Sequence, residues 1–428
     1  MKIEIIATAA GISFLAVSLC FCQPQGTENL LTWPACVSMA SRSNPDLAAA
    51  RSSYESSRAS YLGSYNGLYP QITLSNSYSG SNASSGSGSG SENWQAGGTV
   101  RMNVFSVTQI ESIKISRALA AQSEANLRQT SANLRYNLRS AFAQLLFAQN
   151  NIEVSQNIVE MRQQEAQLVT LRYNSGTAFK GDMLRANAQF LQAQADLAQS
   201  TRELRIAQRS LNRQLGLDEF TVIGVTSTLD IHEPGDLPAD EQSLVESRPD
   251  VVSQEAQVEA ARASVGQSDG ALWPNLSANY SQSGSGGSES SSLNSFEPSW
   301  GLTLSYPLFG GGITAAYYDI SAAKNNLEKE NQDLRSVREQ AVVDIETAWA
   351  NFKGAIDQSK VQSELLTAAR TRYDEANIRY DSGLMTYDNW EIISSDRVSQ
   401  EHQTLQSQLN ALVAEASWLK SLGKQLEE

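Results

Sequence analysis

The chain has 428 residues, of which 41% are hydrophobic and only 7% aromatic, and it carries a formal net charge of −14. That composition favours long helices with narrow apolar seams over a thick globular core. The acidic balance, with no Lys/Arg cluster interleaved with aromatics, argues against a nucleic-acid partner.

Residues 1–22 read as a signal peptide: Lys2 opens it and an apolar core runs from Ile5 to Phe21. Cys20 and Cys22 put small residues at −3 and −1 of a cleavage point before Gln23. The rival route is lipid attachment at Cys22 or Cys20, each of which follows a large residue, Phe21 or Leu19. The third cysteine, Cys36, has no evident mature partner, so no disulfide framework is expected and its reading is helix packing. No later stretch reaches ~18 consecutive apolar residues, so no transmembrane helix is expected after the leader.

The remainder is written twice. Asn44-Pro45-Asp46-Leu47 returns as Arg248-Pro249-Asp250-Val251, and Tyr69-Pro70-Gln71-Ile72 as Trp273-Pro274-Asn275-Leu276. Asn103-Val104-Phe105 returns as Pro307-Leu308-Phe309. Arg172-Tyr173-Asn174-Ser175-Gly176 returns as Arg379-Tyr380-Asp381-Ser382-Gly383, and Gln214-Leu215-Gly216 as Ser421-Leu422-Gly423. A copy this long is one structural unit used twice rather than a short solenoid repeat. The expected division is a first repeat over 23–216, an equatorial linker over 217–239 containing Pro234 and Pro238, and a second repeat over 240–428.

Each repeat opens with one helix, about Trp33 to Leu68 and about Asp240 to Leu272, stopped by Pro70 and Pro274. A β-hairpin follows, over 71–105 and 275–309. Ile72, Leu74, Asn76 and Tyr78 alternate with Thr73, Ser75, Ser77 and Ser79. Leu276, Ala278 and Tyr280 alternate with Ser277, Asn279 and Ser281. In the return strands Trp94, Ala96, Gly98, Val100, Met102 and Val104 share one face, as do Trp300, Leu302, Leu304, Tyr306 and Leu308. Period-two alternation marks strands, and about 10 to 12 residues is enough for a tilted strand to cross a bilayer. Ser84–Ser91 and Ser283–Ser288 read as polar loops. Tyr69, Phe105, Trp273 and Phe309 cluster at one end of the hairpins, and Trp94, Trp300, Tyr78 and Tyr280 toward the other. Two aromatic bands flanking an apolar band is the pattern of a membrane β-barrel.

A helical hairpin closes each repeat, over 108–215 and 314–422. Its first helix, of roughly 66 residues, would reach ~100 Å. Apolar positions form a seam with coiled-coil spacing: Leu138, Phe142 and Leu145 in the first copy, and Ile345, Trp349, Phe352 and Ile356 in the second. Gly176 and Gly383 suit the reversing turns.

Four strands cannot close a barrel, and open edges in lipid cost several kcal/mol per unpaired group. Other copies of the chain must close them. Polar opposite faces, including Arg101, favour three copies and a watery lumen within twelve strands over two copies with a filled interior. The fold class is therefore mixed α and β: long coiled-coil hairpins forming a trimeric α-barrel, plus four transmembrane strands per chain.

With these features in this order and in duplicate, the chain resembles the TolC-type outer membrane factor family over nearly its whole mature length. The resemblance implies a homotrimer with a 12-stranded barrel in the outer membrane of a Gram-negative-type bacterium and a long periplasmic tunnel. It implies an exit duct for a tripartite efflux pump or type I secretion system, carrying small molecules or polypeptide. The implied partners are a periplasmic adaptor, an inner-membrane transporter of RND, ABC or MFS type, and outer membrane lipid. It places adaptor contact and gating at Arg172, Tyr173, Ser175, Gly176, Thr177 and Asp182, and at Arg379, Tyr380, Ser382, Gly383, Asp388 and Glu391. Some members narrow the tunnel with an aspartate ring after the second tip. Here those positions are Asn389 and Ile392, a departure.

An enzyme reading finds little support. His232 and His402 lack ligands at metal spacing, and Gly310-Gly311-Gly312 lacks the Gly-Lys-Ser/Thr of a phosphate loop. No cofactor is expected. The alternative function is a structural or adhesive trimeric coiled-coil protein of the envelope, which would have no use for banded alternating strands.

Overall fold

The computed structural model describes residues 29–81, 91–226, 241–287, 296–307 and 314–427. The leader with Cys20 and Cys22, most of the two Ser/Gly-rich loops, Phe309 with the glycines after it, and the linker around His232, Pro234 and Pro238 lie outside them. In chain order the elements are β1 (Asn29–Leu31), α1 (Trp33–Ser43), α2 (Pro45–Ser64), a 3-10 turn (Tyr65–Leu68), β2 (Gln71–Ser81) and β3 (Ser91–Phe105). Then come α3 (Val107–Asn174), α4 (Lys180–Leu215), β4 (Ile223–Val225), α5 (Glu241–Ser247) and α6 (Pro249–Gly270). β5 (Asn275–Gly287), β6 (Glu297–Ser305), α7 (Ala315–Asp381) and α8 (Tyr387–Ser421) complete the chain.

The fold is mostly helical with an antiparallel sheet, as the repeat predicted. α3 has 68 residues and α7 has 67, so each spans roughly 100 Å. Leu138, Phe142 and Leu145 are buried, with Leu211 and Leu215 of the returning α4 in the same cluster. Ile345, Phe352 and Ile356 are buried with Trp418 of α8, and Trp349 is half-buried beside them. Cys36 is a fully buried packing residue in the first of these clusters, and burial pushes its thiol up to about 11.

The sheet is four-stranded in the order β2-β3-β5-β6. Its registers bring the apolar positions of all four strands to one face. Ile72 pairs with Val100, and Val100 with Tyr280, which pairs with Trp300. Leu74 pairs with Gly98, Tyr78 with Trp94, Ala278 with Leu302, and Leu276 with Leu304. This face has no cover within the chain: Leu74 is 84% exposed and Leu302 67%. Between Asn103 and Phe105 the register shifts, so Phe105 rather than Val104 pairs with Leu276. A bulge of this kind restores the alternation after an extra residue.

Three sequence expectations are corrected. The helix read from Trp33 to Leu68 is broken at Asn44 and tightens into the 3-10 turn, and the one from Asp240 is broken at Arg248. The cause is the proline after each break, which holds the preceding residue extended, at φ −68, ψ 124 for Asn44 and φ −64, ψ 137 for Arg248. The stretch Ser283–Gly287, read as loop, continues β5, with Gly284 opposite Ala96 and Gly286 opposite Trp94. β6 ends at Ser305 rather than reaching 309, and its Pro298 is tolerated because β6 is an edge strand of the chain. In addition to these differences, the linker contains β4, which pairs in parallel with β1.

The broken joints show the repeat at atomic scale. Asn44 caps α2 by accepting from the Leu47 N–H at 2.9 Å, and its Nδ2 donates to the Gln214 carbonyl at 2.9 Å. Arg248 occupies the same place in the second copy and donates to the Ser421 carbonyl at 3.2 Å. Its guanidinium also binds Asp250 at 2.6 Å and Asp344 at 3.3 Å. Burial raises the Asp250 carboxyl, but the hydrogen bond and charge of Arg248 outweigh it and hold the carboxyl below its ordinary range. The stability it contributes is therefore present above the ordinary value of 3.8 and is lost as pH falls through the lowered folded value. In acid titrations followed by thermal midpoint, Asp250→Asn should flatten the loss seen below that pH. An unchanged acid limb would show that this joint does not contribute to it.

Candidate functional site at the helical tips

The two turns that reverse the long hairpins are built alike. After α3, Thr177 N–H donates to the Arg172 carbonyl and Gly176 N–H to Tyr173, both at 2.9 Å. After α7, Leu384 donates to Arg379 and Gly383 to Tyr380, again at 2.9 Å. These paired bonds satisfy the last carbonyls of each helix and require a left-handed residue, supplied by Gly176 at φ 79 and Gly383 at φ 73. Ser175 and Ser382 bond back to the Arg172 and Ile378 carbonyls. Asp182 lies in the first turn of α4, where its carboxylate accepts from the Phe179 N–H at 3.4 Å.

The side chains break the symmetry. Arg172 crosses from the first tip to the second. It donates to the Tyr380 carbonyl at 2.6 Å and the Asp381 carbonyl at 3.0 Å, and its guanidinium lies 4.1 Å from the Tyr380 ring centre. Tyr380 is buried and stacks on Trp390 at 4.3 Å. Trp390 donates in turn to Asn377 at 2.6 Å. Burial raises the Tyr380 hydroxyl's pKa, and Arg172 opposes that shift. The counterparts in the other copy stay outside this cluster: Arg379 is exposed and Tyr173 half-buried.

Of the acidic residues, Glu391 is buried within the chain. Arg185 reaches it at 2.8 Å, and Gln189 and Ser395 also donate to it. Asp388 is exposed and lies 3.8 Å from Arg185. Asn389 and Ile392 are exposed too, so the surface after the second tip presents Asp388, a neutral amide and an aliphatic group. Leu171, Phe179, Leu184, Ile378 and Leu384 add exposed apolar surface around both turns.

Above the tips lies a buried polar network that the sequence reading missed. Glu165 on α3 pairs with Arg162 at 2.8 Å, and both side chains are under 10% exposed. Glu165 also accepts from Tyr373 of α7 at 2.8 Å and from Ser394 of α8 at 2.6 Å. Arg162 donates to Ser394 at 2.9 Å and to Ser395 at 3.1 Å. Through Ser395 the network continues to Glu391 and hence to α4. Burial first, then the Glu165 anion, raises the Tyr373 hydroxyl's pKa. The only sequence cue was a pair of charges on the seam of α3, indistinguishable there from a solvated helix face.

The aromatic positions of the hairpins lie as their registers dictate. Tyr69, Trp94, Phe105, Trp273 and Trp300 are all exposed on the chain. Among the described residues no group of three or more His, Cys, Asp or Glu could hold a metal ion, and no helix is long and apolar enough to cross a membrane.

A family model described as outer membrane efflux protein matches residues 36–217 and 242–424. The solvent efflux pump outer membrane protein SrpC of Pseudomonas putida is 28% identical over 263 residues. That match covers 58% of this chain and 53% of SrpC, so it spans about half the length of that relative. The cation efflux system protein CusC of Escherichia coli (strain K12) is 21% identical over 368 residues, covering 84% of this chain and 79% of CusC. A crystal structure of CusC superposes with a TM-score of 0.83 at 19% identity, covering 91% of each chain.

Proposed function

Since the chain belongs to the outer membrane efflux protein family, we propose that three copies assemble into the outer-membrane exit duct of a tripartite export system. The observation that carries this reading is the sheet: four strands whose apolar side chains share one uncovered face, interrupted by Asn76 and Gln282, and two unpaired edges, β2 and β6. Lipid is the cover that such a face fits, and neighbouring copies are what close such edges. The long hairpins then extend into the periplasm as a tunnel wall. The duct is passive and not an enzyme. Its partners are a periplasmic adaptor, met at the Arg172–Asp182 and Arg379–Glu391 tips, and an inner-membrane transporter. Exposed apolar residues at both tips, Phe179 and Leu384 among them, support docking there. The reported relatives are named for solvents and cations; the cargo of this chain is a small molecule or a polypeptide.

Electron-microscope class averages of the detergent-purified chain test the assembly. A three-fold hollow cylinder about 130–140 Å long is expected, from ~100 Å of helix plus a ~30 Å membrane barrel. Compact monomers or thin solid rods would overturn the duct. The face assignment has its own test. Leu302→Arg puts a cation on the lipid side and should cost about 2–4 kcal/mol and block insertion into liposomes. Its neighbour Thr303→Arg, on the other face, should insert. Equal insertion of both variants would reverse or remove the assignment.

A further inference from the structure

The polar face of the sheet carries very little charge. Its positions on β2, β3, β5 and β6 are Ser, Thr, Asn, Gln and Gly, with two ionisable exceptions among the described residues, Arg101 and Glu297. Arg101 pairs with Gln71 on one side and Asn279 on the other, and Asn279 pairs with Gly301. It is thus the longest side chain at its level, between two short amides and a glycine. It is exposed and makes no ion pair or side-chain hydrogen bond among the described residues. Its partner Gln71 is the first residue of β2, directly after Pro70, while β3, β5 and β6 run four residues further toward the helices, so Arg101 lies within the helix-side half of the sheet. Glu297 pairs with Ser283, beyond Asn279 on β5 by roughly 13 Å toward the far end of the sheet.

We propose that Arg101 forms an anion-attracting ring in the helix-side half of the barrel lumen, favouring anionic solutes or anionic groups of cargo as they leave the tunnel. This rests on the trimeric duct proposed above. Three copies bring three guanidinium groups to one level of a lumen whose other described ionisable residue, Glu297, lies roughly 13 Å away along the strands. Rings of like charge in a pore with low-dielectric walls concentrate the opposite ion and set selectivity. The ring inverts locally the acidic balance of a chain whose net charge is −14.

The test uses the full-length chain in liposomes carrying Thr99→Cys, a position on the same face, with rates corrected for the parent chain, whose described cysteine, Cys36, is fully buried. Labelling rates are compared for a sulfonate-bearing and a trimethylammonium-bearing methanethiosulfonate. Taking their ratio cancels any effect of Arg101 on the reactivity of the thiol itself. The anionic reagent should be favoured, and Arg101→Glu should shift the ratio about tenfold toward the cationic one, with Arg101→Gln between. Ready labelling at the same ratio in all three backgrounds would overturn the ring while leaving the duct standing. Absence of labelling by either reagent, together with absence of ion conductance, would remove the duct and the ring with it.

Discussion

Glu165→Ala should destabilise the tip end of the helical hairpins by about 3–5 kcal/mol, because it strands a buried cation. Arg162 would keep its place among α3 and α8 with only Ser394 and Ser395 as partners. Tyr373 would lose the acceptor of its buried hydroxyl. The readouts are the unfolding midpoint followed by fluorescence of Trp390, which stacks on Tyr380 in the adjoining cluster, and proteolysis at Lys180 and Arg379. A double change, Arg162→Met with Glu165→Leu, should recover much of the loss, since an apolar pair of similar volume often matches a buried ion pair. If the single and double variants melt together at the wild-type midpoint, the network contributes nothing and the apolar cluster alone holds the tip.

The second large effect is expected at Gly216→Ala. Gly216 ends α4 at φ 68, and a Cβ there would stand 2.1 Å from the Ser43 carbonyl oxygen. That oxygen is backbone beside the Asn44 break and cannot turn aside as a side chain can. The left-handed conformation costs about 1–2 kcal/mol for alanine, and the forced shift of packed backbone adds about 1–3 kcal/mol. Gly176 is the control: it is also left-handed, at φ 79, but has nothing within 4 Å of its would-be Cβ. Gly176→Ala should therefore show only the conformational part. Thermal midpoints of the two variants decide the matter, and equal shifts would mean that the close approach at Ser43 relaxes freely.

What the sequence disclosed was whatever is local and repeated. The strand faces were readable because Ile72, Leu74, Val100, Leu302 and Leu304 alternate with small polar residues, and a strand's period of two leaves one assignment. The tips were readable from Arg-Tyr-x-Ser-Gly in duplicate. β1 and β4 were not, because three residues carry no period and their pairing joins segments far apart in the chain. The extension of β5 was hidden by its composition: Ser-Gly-Ser-Gly-Gly reads as loop, and only its pairing with Asn93–Gly97 of β3 marks it as strand. Glu165 and Arg162 were hidden for a different reason. Charged residues on a long polar helix are normally solvated, and only the approach of α7 and α8 takes these two out of water. Glu391 shows the same limit: the resemblance placed it among the adaptor-contact and gating residues, while Arg185, Gln189 and Ser395 enclose it.

The joints at Asn44 and Arg248 place unequal constraints on future sequence change. At position 44 the task is a cap and one bond to a carbonyl; Ser or Thr can keep the cap while giving up the bond to the Gln214 carbonyl. At position 248 the side chain reaches the Ser421 carbonyl and two carboxylates at once. Lysine lacks that fork geometry, and a neutral residue leaves Asp250 and Asp344 facing each other without a cation. A change at the first joint therefore gives up one bond, while a change at the second releases a carbonyl and two carboxylates together.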